Sequence, residues 1–469
     1  MNSLRMTKIV CTIGPKTEPL EMLEKLANAG MNVARLNFSH GNYEEHGMRI
    51  KRIKELNKKR TQPIAILLDT QGPEIRTGIL KDDIKLSTGD KFTFTIADKF
   101  EGKMGTTITY KQIVKDIKKG DVILVDDGML EFEVEKVSAK DVACKVLNSG
   151  TLSSRKGVNI PGININLPAL SEKDIEDIKF GVKNDVDYIA VSFVRKPEDI
   201  TNLRKLVKSE GANTLILAKI EHMDAVNNFD KILEAADGVM IARGDLGVQV
   251  PFEEIPTIQS ALIAKCNKAG KPVITATHML NSMTDYPRPT RAEVSDVANS
   301  VLNGTDAVML SAESAKGKYP VESVVAMDKI CRAVERTLEN NIEKMNAGKN
   351  VPEIIARAVA QSADVVGAKA IITFTITGNT AQTISKFRTK VPIFAMTVSD
   401  KIIRATSLSW GVYSFKMHEY SSTDTMIKDG LSILKEKGAL AKDDLVVITS
   451  GVPLGKAGMT NLAEIRRVE

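Results

Sequence analysis

Leu215-Ile-Leu-Ala-Lys-Ile-Glu221 and Gly238-Val-Met-Ile-Ala-Arg-Gly-Asp245 share one pattern: a short, nearly continuous apolar run that ends in charged residues. Runs of this length without polar alternation are what strands buried on both faces require. Working outward, six further runs of the same kind occupy residues 8–13, 32–38, 64–68, 188–194, 273–276 and 307–310. Helical patterns fill the gaps. Residues 171–182 carry Ser171 and Asp174 at capping-box spacing, and residues 290–302 carry Thr290 and Glu293 likewise, with Gly304 just beyond the end. Eight strand-then-helix units predict an α/β fold of the TIM type, a closed (β/α)8 barrel. A doubly wound open sheet is the competing geometry.

The rhythm changes between the third and fourth runs. Residues 72–168 show alternating segments at 84–86, 91–96, 122–125, 131–137 and 142–146, separated by Thr88-Gly89-Asp90 and Asp127-Gly128, which predicts an inserted all-β domain on one barrel loop. Past the polar stretch 346–350 and Pro352, a new α/β alternation begins with a helix at 353–366 and strands at 370–375, 393–398, 412–415 and 445–449. The expected organisation is therefore residues 1–71 and 169–345 as two parts of one barrel, 72–168 as the β insert, and 346–469 as a carboxy-terminal α/β domain.

Composition excludes several classes. Hydrophobic residues are 43% and charged residues 26% of 469, as in an ordinary globular protein, and the net charge of +6 is interleaved rather than blocked. No nucleic-acid partner is implied. No apolar run reaches membrane-spanning length, and residues 1–8 lead into a strand without a signal-peptide core, so a cytoplasmic location and no membrane partner are expected. Cys11, Cys144, Cys266 and Cys331 stand singly, as reduced buried thiols would.

In barrel enzymes, function sits where strands end at the carboxyl face. The second run ends in Arg35, Asn37, Ser39 and His40, and the third in Asp69 and Thr70. Lys219 and Glu221 end the fifth, Arg243, Gly244 and Asp245 the sixth, Thr277 and His278 the seventh. Alternate residues point the same way, so Arg35, Asn37 and Ser39 can share a face, as can Lys219 and Glu221. Glu221 and Asp245 could hold one Mg2+ or Mn2+ ion with room for phosphate oxygens. The plainer alternative is an ion pair of either with Arg243. Lys219 could neutralise a transferring phosphoryl group or form a Schiff base; neighbouring metal ligands favour the former. No P-loop and no G-x-G-x-x-G occurs, so a bound nucleotide would need arginines and a metal.

Several segments together resemble the pyruvate kinase family: Met31-Asn-Val-Ala-Arg-Leu-Asn-Phe-Ser-His-Gly41, Leu68-Asp-Thr-Gln-Gly-Pro-Glu-Ile-Arg-Thr-Gly78, Lys219-Ile-Glu221, Ile241-Ala-Arg-Gly-Asp-Leu-Gly-Val248 and Pro287-Arg-Pro-Thr-Arg-Ala-Glu293. The resemblance covers essentially the whole chain. It implies a small β-barrel lid after the third strand and a regulatory carboxy-terminal domain. It implies transfer of a phosphoryl group from phosphoenolpyruvate to ADP, with Lys219, Arg35 and Thr277 as the catalytic residues. Arg35, Gly244, Asp245 and Thr277 would bind phosphoenolpyruvate, and Asn37, Phe38, Ser39, His40, Arg76 and Lys156 the nucleotide. Glu221 and Asp245 become Mg2+ (or Mn2+) ligands, and Asn37, Ser39, Asp69 and Thr70 a K+ site, with Glu74 the residue type that accompanies potassium dependence. A homotetramer is also implied.

Two residues depart from the family pattern: Gln71 and His278 stand where relatives more often show Lys and Gln. His278 adds a titratable group beside Thr277, so His278→Gln should change the pH profile of turnover; superimposable profiles would refute this. In the carboxy-terminal domain, Thr375, Thr377, Gly378, Asn379 and Thr380 turn from a strand into a helix, and with Lys456 would cradle a sugar-phosphate or nucleotide effector. Asn379 occupies a position often basic in relatives. The rival enzyme reading is a metal-dependent pyruvate aldolase or lyase; it has no use for the lid or for the Asn37, Ser39, Asp69, Thr70 cluster. A catalytically dead metabolite sensor would be expected to lack Lys219 or the carboxylate pair.

Overall fold

Strands that are apolar on both faces need a cover on each, and the chain supplies it by closing the eight runs on themselves. The computed structural model describes residues 4–163, 168, 170–339, 342, 348, 350–455 and 458–469. Lys8–Thr12, Val33–Asn37, Ala65–Asp69, Tyr188–Val191, Leu215–Ile220, Gly238–Ala242, Val273–Ala276 and Ala307–Leu310 form a closed parallel barrel, each paired with its sequence neighbours and the last with the first. The doubly wound alternative is thereby excluded.

Side chains alternate across each strand. Val10, Val33, Leu67, Ala190, Leu217, Met240, Ile274 and Met309 fill the barrel interior. Their neighbours, such as Ile9, Ala34, Leu68, Val191, Ala218 and Ile241, face the surrounding helices. Counting by twos from the interior set toward the carboxyl ends reaches Thr12, Arg35, Asp69, Ser192 and Lys219. The topmost interior layer is thus polar because the pleat's parity puts those residues there.

Both expected capping boxes form. Ser171 and Asp174 cap the helix Glu172–Lys183, and Thr290 and Glu293 cap Arg291–Leu302, each by reciprocal hydrogen bonds. The helix expected at 353–366 spans Val351–Val365 instead. Asn350 caps it and Pro352 lies in its first turn, where a missing N–H costs no helical bond.

The insert pairs as a six-stranded sheet in the order Val158–Asn159, Val122–Val125, Leu130–Val137, Asp141–Val146, Lys91–Thr95, Gly105–Thr107, beside a two-stranded sheet of Ile84–Leu86 and Gly150–Leu152. Among the described residues its two edges are joined only by isolated bridges, Arg76 to Gly157 and Thr77 to Ile108. The small barrel expected there is therefore closed by a two-residue crossing rather than by a strand. Phe94 meets Phe92 and Phe132 edge-on in its core.

The carboxy-terminal sheet runs Val412–Lys416, Ile393–Thr397, Ala370–Phe374, Leu445–Gly451, Thr460–Arg467, parallel except for the last strand. That last strand adds a fifth to the four that the sequence pattern offers. The domain seals the barrel floor: Leu408 packs among the interior residues, Tyr188 donates to the Ala405 carbonyl at 2.7 Å and Lys8 Nζ to the Val412 carbonyl at 2.6 Å. All four cysteines are buried free thiols. No helix among the described residues is long and apolar enough to cross a membrane.

Gly72, where the chain leaves the barrel for the insert, has φ 78°, and a Cβ there would sit 2.7 Å from Ser192 Cβ and from Phe193 Cδ2. Its N–H donates to Asp174 Oδ1 at 3.0 Å. Gly72→Ala combines left-handed strain of about 1–2 kcal/mol with a collision against the Ser192 and Phe193 side chains. It should lower the melting temperature by several degrees and weaken activity; an unchanged melting curve would refute the clash.

Candidate active site

At the carboxyl end of the fifth strand, Lys219 is 8% exposed and Glu221 1%, while Asp69 at the end of the third is fully buried. Lys219 Nζ lies 2.8 Å from Glu221 Oε1 and 3.0 Å from Asp69 Oδ1, and donates to Ser192 Oγ at 2.6 Å. Arg35 reaches Asp69 Oδ2 with Nε at 2.6 Å and Thr12 Oγ1 with Nη1 at 2.8 Å. Glu221 Oε2 accepts the Phe193 N–H at 2.7 Å. Burial works against the Lys219 charge, but the Asp69 and Glu221 carboxylates outweigh it and hold the ammonium well above its ordinary range. Burial likewise works against the Asp69 charge, and Arg35 and Lys219 reverse that, keeping it ionised. Burial pushes Glu221 and Asp245 up; Lys219 opposes this in both, while the charge of Asp245 adds to it at Glu221 and those of Asp127, Glu74 and Asp69 add to it at Asp245.

The plainer alternative for Arg243 is not what forms. Its guanidinium turns away from the metal-candidate carboxylates and pairs with Asp296 at 2.6 Å. Gly244 and Thr277 are brought together, the Gly244 N–H donating to Thr277 Oγ1 at 2.8 Å. Thr277 and His278 have φ of 65° and 54°, a region a β-branched residue enters at a cost of order 1–3 kcal/mol.

A cleft of about 300 Å³ opens between the barrel top and the insert, lined by Glu74, Arg76 and Lys156 on one side and Asp245, His222 and Gln249 on the other. Gln249 Nε2 bonds Asn159 Oδ1 across it at 3.0 Å. Arg76 is engaged by Glu74 at 2.5 Å and Lys156 by Asp126 at 2.9 Å.

Residues 4–324 match the family model described as pyruvate kinase, barrel domain, and residues 353–466 the model described as pyruvate kinase, alpha/beta domain. The chain belongs to the pyruvate kinase family. Curated relatives include a pyruvate kinase of Clostridium acetobutylicum, 44% identical over 99% of this chain and 100% of its own length, and one of Geobacillus stearothermophilus, 46% identical over 98% of this chain and 80% of its own. A solved pyruvate kinase of Cryptosporidium parvum superposes with a TM-score of 0.93 at 38% identity, covering 99% of this chain and 96% of that one. The chain is accordingly one of a family of phosphotransferase enzymes.

Against the residues that the pyruvate kinase pattern singles out, the structure distributes as follows. Arg35, Asp69, Lys219 and Glu221 form one ion-pair cluster, to which Asp245 is coupled through its charge. Asn37 sits in register opposite Asp69, its Oδ1 accepting the Ser39 N–H at 3.1 Å. Thr70 Oγ1 accepts the Ser192 N–H, also at 3.1 Å. His40 is exposed. The Phe38 ring, 2% exposed, stacks on His46 at 3.9 Å, so only its backbone could face a nucleotide. Thr375 Oγ1 accepts the Gly378 N–H and Thr380 Oγ1 meets Thr460 Oγ1 at 2.8 Å, while Lys456 lies outside the described residues.

Ser192 and Thr12 were missed. Thr12 ends the first strand and Ser192 directly follows the fourth, both at interior parity, so the strand-end rule that found Lys219 would have found them.

Proposed function

We propose that this enzyme transfers the phosphoryl group of phosphoenolpyruvate to ADP, giving pyruvate and ATP. The observation that carries this reading is the Lys219 ammonium, buried and held between the Asp69 and Glu221 carboxylates at 3.0 and 2.8 Å. A Schiff-base lysine must lose its proton to react, and this one is pressed to keep it, which disfavours the pyruvate aldolase or lyase reading. A fixed cation beside a phosphate is worth most where water is excluded.

In this mechanism Lys219 Nζ and Arg35 receive the charge that develops on the transferring group. The Gly244 N–H and the Thr277 hydroxyl receive the substrate carboxylate by giving up their bond to each other. Enolpyruvate is left, and its carbon takes a proton from a water or hydroxyl near Thr277. Arg76 and Lys156 exchange Glu74 and Asp126 for nucleotide phosphates, with His40 and the Phe38 backbone alongside. The insert closes over the cleft and excludes water.

Glu221 and Asp245 suit Mg2+ or Mn2+, being two hard oxygen donors whose raised affinity for protons a cation would relieve. Among the described residues no group of three or more His, Cys, Asp or Glu is placed to hold a metal, so the other positions would fall to substrate oxygens and water. Once bound, a divalent cation neutralises charge on the phosphoryl oxygens. Asn37, Ser39, Asp69 and Thr70 offer oxygen only, as K+ prefers, and Asp69 Oδ1 accepts no hydrogen bond despite its closeness to Lys219. The turn at Thr375, Thr377, Gly378, Asn379 and Thr380 would take the phosphate of a sugar-phosphate or nucleotide effector, in a cytoplasmic homotetramer.

The deciding assay is ATP formation from phosphoenolpyruvate and ADP with Mg2+, with and without K+. ATP should form, and faster with K+. Absence of ATP would dispose of the reading, and aldol cleavage without ATP would install the lyase in its place.

A further inference from the structure

The Arg243 side chain pairs with neither carboxylate that the proposed mechanism makes a metal ligand, yet it is 9% exposed and makes four hydrogen bonds elsewhere. Nη1 pairs with Asp296 Oδ1 at 2.6 Å and donates to Gln259 Oε1 at 3.3 Å. Nη2 donates to the Thr277 carbonyl at 2.7 Å, and Nε to the Ala276 carbonyl at a weak 3.4 Å. One guanidinium therefore clamps the two carbonyls at the turn that ends the seventh strand.

That turn is where the backbone is least at ease. Thr277 and His278 are consecutive residues at positive φ, and such pairs persist only where the surroundings over-determine them. The direction of the Thr277 carbonyl is set by the ψ of Thr277, so a bond on that oxygen holds the left-handed conformation. The side chain is tied at the same time: Thr277 Oγ1 donates to the Ala276 carbonyl at 2.6 Å and accepts the Gly244 N–H at 2.8 Å. Arg243 and Gly244 open the same helix, Arg243–Gln249, so the clamp and the acceptor's partner move as one body.

The clamp is itself braced from outside the barrel top. Asp296 lies on the helix Arg291–Leu302, whose start is fixed by the Thr290–Glu293 capping box and by Glu293 gripping Ser282 through its N–H at 2.7 Å and its hydroxyl at 2.5 Å. Gln259 reaches the same helix through Ser300 Oγ at 3.4 Å. A planar fork can serve a carboxylate and a carbonyl together; a lysine ammonium on a flexible stem cannot hold both in one plane.

We infer that Asp296 and Arg243 are positioning residues that set the Thr277 hydroxyl for its part in the reaction. The inference rests on the role given to Thr277 in the proposed function. Misplacement of a catalytic group by about 1 Å can cost about a hundredfold in rate.

The test is a double-mutant cycle on the full-length enzyme, reading kcat, KM and melting temperature. Asp296→Asn should lower kcat by about tenfold or more and leave KM for ADP unchanged. On a Thr277→Ala background the same substitution should cost almost nothing more. Arg243→Lys keeps a cation beside Asp296 but gives up the arm on the Thr277 carbonyl; it supplies the same readout should Asp296→Asn not fold. Losses in kcat that multiply, or a lower melting temperature with kcat intact, would overturn the inference while leaving Thr277 in place. Full activity in Thr277→Ala would overturn the role of Thr277 and the inference with it.

Discussion

Lys219→Ala is expected to lower turnover by more than about a hundredfold with the fold intact, the scale seen when a preorganised charge is removed from a water-poor site. The substitution leaves Asp69 and Glu221 without the cation they share. Each retains other support, Asp69 from Arg35 at 2.6 Å and Glu221 from the Phe193 N–H at 2.7 Å. The barrel's interior apolar layers below are untouched. Circular dichroism and melting should therefore report a folded protein whose kcat has collapsed. A loss smaller than about tenfold would mean that Lys219 serves the ion-pair cluster rather than the reaction. Lys219→Arg should not rescue, because a planar fork cannot reproduce a point donor fitted between two carboxylates and a hydroxyl.

Asp245→Asn should raise the Mg2+ concentration needed for half-maximal activity by about tenfold or more. Asp245 is the cleaner probe of the two carboxylates. Glu221 also pairs with Lys219 and accepts the Phe193 N–H, so altering it disturbs the Lys219 ammonium as well. Asp245 lines the cleft, and apart from burial the influences raising its affinity for protons are the neighbouring charges of Asp127, Glu74 and Asp69. Removing one charge from an oxygen set of this kind weakens a hard divalent cation more than a singly charged one. Mn2+ titration followed by electron paramagnetic resonance, without substrate, reads the site independently of turnover. Unchanged Mn2+ affinity would remove Asp245 from the ligand set.

Much of the barrel was legible because its signal is local. Each strand is a short apolar run, and Ser171–Asp174 and Thr290–Glu293 announce helix starts within four residues. Shorter pieces escaped. Gly105–Thr107, Gly150–Leu152 and Val158–Asn159 have two or three residues, too few for a period to show; the first and last exist because longer neighbours offer them an edge, and the second because it meets the equally short Ile84–Leu86. Thr460–Arg467 was not among the strands expected from the sequence, and it is held as one by its antiparallel register with Leu445–Gly451.

The residue types at the strand ends, and their parity, were determined by the sequence alone: Arg35, Asp69 and Lys219 must fall on the interior face if the runs are strands, because side chains alternate. Which of them touch was decided only by the closed barrel. Lys219 meets Asp69 because the third and fifth strands are brought together by the one between them, which adds Ser192 to the pair. Sequence position alone left Glu221 and Asp245 as partners for Arg243, and it serves Asp296, 53 positions away, because the helix Arg291–Leu302 presents that carboxylate to it. Local pattern sets what a residue can offer; the partner is chosen by distances that exist only after chain segments far apart in sequence have packed.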